Sequence, residues 1–198
     1  MKARQVLAAA LMAALPVLAT SAAGAEDFLT RLLGRAPGKG VSYACFTRAY
    51  DGAHLASHPQ QNVRSMVLLV VVDSDSPGSY KLRIGAHFRS SKKGILETEG
   101  DCGVSSAESD AASPAGAHCS VACDGGSLDV ALRDKNAVLL TVPDGARMWT
   151  PGADDTSSDA HGAFGPDDKL FRLDRSSTSE CAEQGEDATE KAKLKRMN

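Results

Sequence analysis

Hydrophobic and polar residues alternate along much of this chain. Between Tyr80 and Arg89, Leu82, Ile84, Ala86 and Phe88 take one parity, and Lys81, Arg83, His87 and Arg89 the other. Leu128, Val130 and Leu132 repeat the rhythm, as do Val138, Leu140 and Val142. A period of two marks a strand with one buried face. Asp134-Lys135-Asn136 has turn chemistry, which makes these last two runs a hairpin. Cys119, Val121 and Cys123 share a face of the strand before it. Val41–Arg48 and Lys169–Asp174 open and close the alternating region.

Two stretches break the rhythm. In Asn62–Asp73 the run Met66-Val67-Leu68-Leu69-Val70-Val71-Val72 is apolar at both parities, so this strand is expected to be covered on both sides. Phe28, Leu29, Leu32 and Leu33 instead fall at helical spacing, and Gly34, Pro37, Gly38 and Gly40 stop the helix. That helix has the stripe to cover the second face of Asn62–Asp73. No βαβ alternation appears. The pattern therefore predicts a mainly β fold, an antiparallel barrel or sandwich of about eight strands with a short N-terminal helix.

The first residues read as a secretory signal peptide over 1–25. Lys2 and Arg4 precede an apolar run, Val6–Leu18, and Ala23-Gly24-Ala25 is a small-residue cleavage signal. The run is too short for a permanent span, which needs about 20 residues. Residues 26–181 are expected as a single β domain, exported to the periplasm or secreted, with no membrane span after cleavage. Residues 182–198 are charged and nearly devoid of large apolar groups, and read as a frayed helix or disordered tail. Removing Lys2 and Arg4 takes the formal charge from −3 to −5, which argues against a nucleic-acid partner, because phosphate binding needs a basic field.

Export makes the five cysteines disulfide candidates. On one strand, Cys119 and Cys123 would have Cα atoms about 13 Å apart, against roughly 4.4–6.8 Å for a disulfide. The pairing favoured is Cys102–Cys119 between neighbouring strands and Cys45–Cys181 between the first strand and the last, which leaves Cys123 over.

Candidate binding residues are few. His54 and His58 would share a face of a short helix begun by Asp51, a weak metal pair with no third ligand at a matching spacing. Lys81, Arg83, His87 and Arg89 form a candidate basic face, but Glu97, Glu99 and Asp101 on the next strand have the parity to neutralise it. Asp154, Asp155, Asp159, Asp167 and Asp168 are oxygen ligands that calcium would accept, in a loop that lacks EF-hand spacing. No cofactor motif is present.

Tyr43-Ala44-Cys45 resembles the Tyr-x-Cys opening of the periplasmic inhibitors of C-type lysozyme. Over these three residues the resemblance implies a small β-barrel with a terminal disulfide and inhibition of a lytic enzyme. The broader expectation is a binding or interaction module whose partner is a protein or small ligand of the cell envelope. A structural envelope protein is an alternative. An enzyme is less favoured: no Gly-x-Ser-x-Gly or His-Glu-x-x-His motif occurs, although a site assembled from distant residues would leave no spacing signal.

Overall fold

The computed structural model describes residues 21–76, 79–91, 94–105, 116–122, 124–152 and 164–197, without the side chains of 21–26 and 104–105. Helix α1 (Ser21–Leu33) precedes strand β1 (Val41–Ala49) and a one-turn helix α2 (Gly52–Ser57). Seven strands follow: β2 (Val63–Asp73), β3 (Ser79–Phe88), β4 (Ile95–Ser105), β5 (Gly116–Val121), β6 (Ser127–Asp134), β7 (Ala137–Thr141) and β8 (Leu170–Ser176). A 3-10 helix (Thr178–Gln184) and helix α3 (Ala188–Arg196) end the chain. Each strand pairs antiparallel with the next, and β8 pairs with β1, so the sheet closes into an eight-stranded barrel. Of the two β architectures the alternation allows, the closed one forms. The β6–β7 turn is held by the Asp134 carboxylate, which accepts the Asn136 N–H at 2.7 Å.

The interior is packed with side chains. Phe46, Met66, Leu68, Leu82, Ile84, Leu128, Val130, Leu140 and Phe171 point inward and are buried in one cluster. Helix α1 adds Phe28, Leu29, Leu32 and Leu33 to that same cluster, packing against β1 and β4. It thus plugs the end of the barrel at which β1 begins and β4 finishes. Arg175 of β8 secures the plug. Its guanidinium stands 4.7 Å over the Phe46 ring and donates to the carbonyls of Arg31 and Leu32 at 3.1 and 3.0 Å. A cation there complements the negative end of the helix dipole, and burial holds its pKa below the ordinary guanidinium value.

At the other end, Phe164 meets Phe88 and Phe171 edge-on, at centroid distances of 5.2 and 6.3 Å. Asp168 fixes this second plug. Its wholly buried carboxylate accepts the backbone N–H groups of Asn62, Val63 and Gly165, at 2.7, 3.2 and 2.7 Å. A Cβ at Gly165 would collide with the Gln60 carbonyl, so the close approach requires glycine there. The Asp168 oxygens are thus spent on N–H donors, which does not suit the calcium reading. Asp154, Asp155 and Asp159 lie outside the described residues.

The second face of β2 is covered by a different element from the one the pattern suggests. Leu69 and Val71 face outward with Tyr43 and Cys45 of β1, beneath Cys181, Ala182 and Leu194. The lid is therefore the C-terminal segment, and α1 lies inside instead. Residues 182–198, read as a frayed or disordered tail, largely form the end of the 3-10 helix and α3. Leu194 supplies α3 with only one wholly buried apolar contact. A hydrophobic-stripe argument has little to detect there. The Cys45–Cys181 bridge, which joins residues 136 apart in sequence, pins the lid to β1. The second bridge, Cys102–Cys119, crosses directly opposed positions of β4 and β5. Both pairs are those favoured by strand geometry, and Cys123 lies outside the described residues.

Because α1 fills the barrel mouth, Leu32→Ala should behave as a core truncation. The expected loss is about 2–5 kcal/mol of unfolding free energy, measured by urea denaturation under non-reducing conditions.

Candidate functional site

Outward positions on β3 and β4 are charged and pair across the strands. Arg83 opposes Glu99 in the ladder and donates from Nε to its carboxylate at 2.6 Å. The same guanidinium reaches Glu190 of α3 at 2.6 Å and Glu186 at 2.9 Å. Its side chain is only 9% exposed. Lys81 also bonds Glu99, at 2.6 Å, and the Tyr43 hydroxyl donates to Glu190 at 2.8 Å. Burial alone would raise the pKa of Glu99, but hydrogen bonds from Lys81 and Arg83 outweigh it and hold the carboxyl below its ordinary value. At Glu190 burial is likewise outweighed, by the Glu186 N–H, Tyr43 and Arg83. Burial and the Glu190 bond together push the Tyr43 phenol well up.

The four residues of the candidate basic face are therefore not alike. Lys81 and Arg83 are engaged by carboxylates. Arg89 donates to the carbonyls of Leu55 and Gln61, and His87 is exposed. The charges of Lys81 and Arg83 are thus matched by Glu99. His54 and His58 do come together, with rings stacked 4.2 Å apart and His54 stacked in turn on Tyr50. His54 Nε2 bonds Gln61, and His58 Nδ1 lies 3.0 Å from the His54 carbonyl. No group of three or more His, Cys, Asp or Glu placed to hold a metal occurs among the described residues.

A concavity lies on the outer wall, where sequence spacing gave no signal. It is a groove of about 470 Å³ bordered by Arg83, Glu97 and Glu99, by Trp149, Pro151 and Gly152, and by Gln184, Glu186 and Lys191. Each wall has a local cause. Beyond the end of β5, the segment around Trp149 takes that strand's place beside β4: Trp149 and Glu97 exchange both backbone hydrogen bonds, each at 2.7 Å. Ala146 and Met148 then point into the core, leaving Arg147 and Trp149 on the outer parity. From the sequence, Ala146–Thr150 reads as another strand packed at its edge; it instead makes only two isolated bridges, Ala146 with Gly126 and Trp149 with Glu97. The Arg147 guanidinium stands 5.5 Å over one face of the indole.

Glu97 opposes Gly85 on β3, a position with no side chain to pair with it. A Cβ at Gly85 would lie 2.6 Å from Gln184 Nε2, so the glycine makes room for this buried amide. Glu97 forms no ion pair among the described residues. Burial raises its pKa, opposed by a hydrogen bond from the Gly152 backbone and more distantly by Lys191. The groove thus holds a carboxylate without an ion-pair partner among the described residues, next to an indole. Comparisons with family models, curated proteins and solved structures gave no match.

The Arg83 network should make stability depend on acidity in a defined direction. Glu99 and Glu190 titrate below their ordinary value near 4.5. Their contribution is complete above that value and is lost as pH falls through the lowered one. Arg83→Met, which leaves the largely buried Glu190 without its guanidinium, should be destabilising at pH 7. Urea midpoints of the two proteins should converge as pH falls below 4.5.

Proposed function

We propose that this protein is an exported, disulfide-linked β-barrel that acts as a binding or interaction module in the periplasm or outside the cell, using its outer wall rather than its interior. The carrying observation is the contrast between a packed, doubly plugged barrel and the groove beside Trp149. Barrels that hold ligands inside need an open mouth and a cavity, whereas here Phe28 and Leu32 occupy one end and Phe164 packs across the other. The groove's volume lies within the range of small-molecule sites, roughly 300–1,000 Å³.

Two disulfides fit an oxidising compartment, as does the signal-peptide pattern over 1–25. No described helix is long and apolar enough to cross a membrane. The outward residues of β3 and β4 include Lys81, Arg83, Glu97, Glu99 and Asp101, unlike the apolar band of a lipid-embedded barrel.

Trp149 is the sole tryptophan, so its emission reports on the groove alone. Titration with a panel of organic amines, carboxylic acids and neutral saccharides should give a saturable change for at least one class, with Trp149→Ala losing binding by calorimetry. Silence across the panel, combined with uptake of an apolar dye, would favour an interior site. Export predicts a mature N-terminus at Glu26 in periplasm or medium, with 45–181 and 102–119 peptides linked before reduction. A cytoplasmic, reduced product would overturn that part of the reading.

A further inference from the structure

We propose that the groove beside Trp149 binds a small organic cation, with Glu97 as its counter-charge and the indole as its aromatic contact; this rests on the binding role assigned to the groove above. Glu99, Glu186 and Glu190 share one guanidinium, that of Arg83, and Glu97 borders the same groove without joining them. Lys81 completes the neutralisation of Glu99 from outside the groove. Lys191, which also borders the groove, is drawn to Glu183 at 3.9 Å. Glu97 is the carboxylate of this set left without an ion-pair partner among the described residues, with Lys191 acting on it only from a distance.

Geometry places that carboxylate beside an aromatic ring. Glu97 and Trp149 are directly opposed across their β-bridge, a relation that puts two side chains about 4.5–5.5 Å apart at Cβ on one face. Carboxylate and indole together are the elements that hold ammonium groups: the ring quadrupole attracts the cation and the carboxylate supplies the charge. Arg147 already occupies one face of the ring in this way. An anionic ligand would meet Glu97, Glu99 and Glu186 instead, with Lys191 as the cation nearest to being free. A neutral ligand would leave Glu97 partly desolvated and uncompensated, a state its upward-shifted pKa already marks as costly.

The probe is choline, whose quaternary nitrogen does not titrate, with its uncharged isostere 3,3-dimethylbutan-1-ol as control. Choline should quench or shift Trp149 emission saturably, and the isostere should bind at least tenfold more weakly. Glu97→Gln keeps an acceptor for the Gly152 N–H but removes the charge, and should weaken choline at least tenfold with the circular dichroism unchanged. Lys191→Gln removes a repelling charge and should tighten it severalfold. Affinity should fall as pH drops through the raised Glu97 pKa, because only the ionised carboxylate attracts the cation. Arg83 and Glu99 of the barrel wall, Arg147 beside Trp149, and Glu186 and Lys191 of the C-terminal segment also face the groove, so the Glu97→Gln profile isolates the Glu97 step.

Equal binding of choline and its isostere, or choline affinity unchanged in Glu97→Gln, would overturn the inference. So would saturation by acids or saccharides with no response to choline, although the groove would then stand as a binding site. Silence towards every class would remove both readings.

Discussion

A single buried guanidinium organises the outside of this barrel. Arg83 projects from the middle of β3 and is shared by Glu99 on the neighbouring strand and by Glu186 and Glu190 on the C-terminal segment. Removing an arginine from water is costly unless several acceptors replace its hydration. That requirement brings the C-terminal segment back across the sheet. Once it lies there, Leu194, Cys181 and Ala182 cover Leu69 and Val71, and Gln184 fills the space above Gly85. The rear wall of the groove, from Gln184 to Lys191, is a product of the same docking. Charge, packing and a covalent bridge thus converge on one seam, with the disulfide fixing its near end at Cys45.

The barrel interior depends on simpler physics. Alternation sets the inward face of each strand, and eight strands enclose a volume that side chains can fill. α1 and the Phe164 segment complete it at the ends. The two plugs are held differently. Arg175 grips α1 through terminal carbonyls of the helix, whereas Asp168 grips the other plug through backbone N–H groups. In each case a charged side chain satisfies main-chain groups that would otherwise be buried without partners.

Much of this architecture could be read from residue order, and the reasons for the remainder are specific. Tyr80–Phe88 and Leu128–Leu132 announce their inward faces because nearly every second residue is apolar. For the cysteines, strand spacing forbids only the 119–123 pair, and the bridges found join neighbouring strands and the two ends of the domain. The doubly apolar β2 correctly calls for a second cover, but the wrong helix is nominated for it. Phe28 to Leu33 form a conspicuous stripe, and α3 has only Leu194. Periodicity weighs oil and misses ion pairs, so a helix docked through Glu186 and Glu190 escapes it. The groove escapes for another reason. Glu97, Trp149 and Gln184 are far apart in sequence, and what joins them is a two-bond bridge and the missing side chain of Gly85. An acidic residue opposite a glycine in the ladder was the one available hint.

Closure of the cylinder has a further consequence. The run Met66–Val72 has the composition of an aggregation-prone segment, yet β2 is hydrogen-bonded along both flanks, to β1 and β3. Paired on both sides, β2 offers no free edge on which another chain could polymerise. Protection arrives only with the final pairing of β1 to β8, whose contacts, such as Phe46 with Arg175, are among the most distant in the sequence. Pairings that distant form slowly, so the newly made chain passes through a period with its stickiest strand uncovered. Any chaperone serving this protein would have its work there.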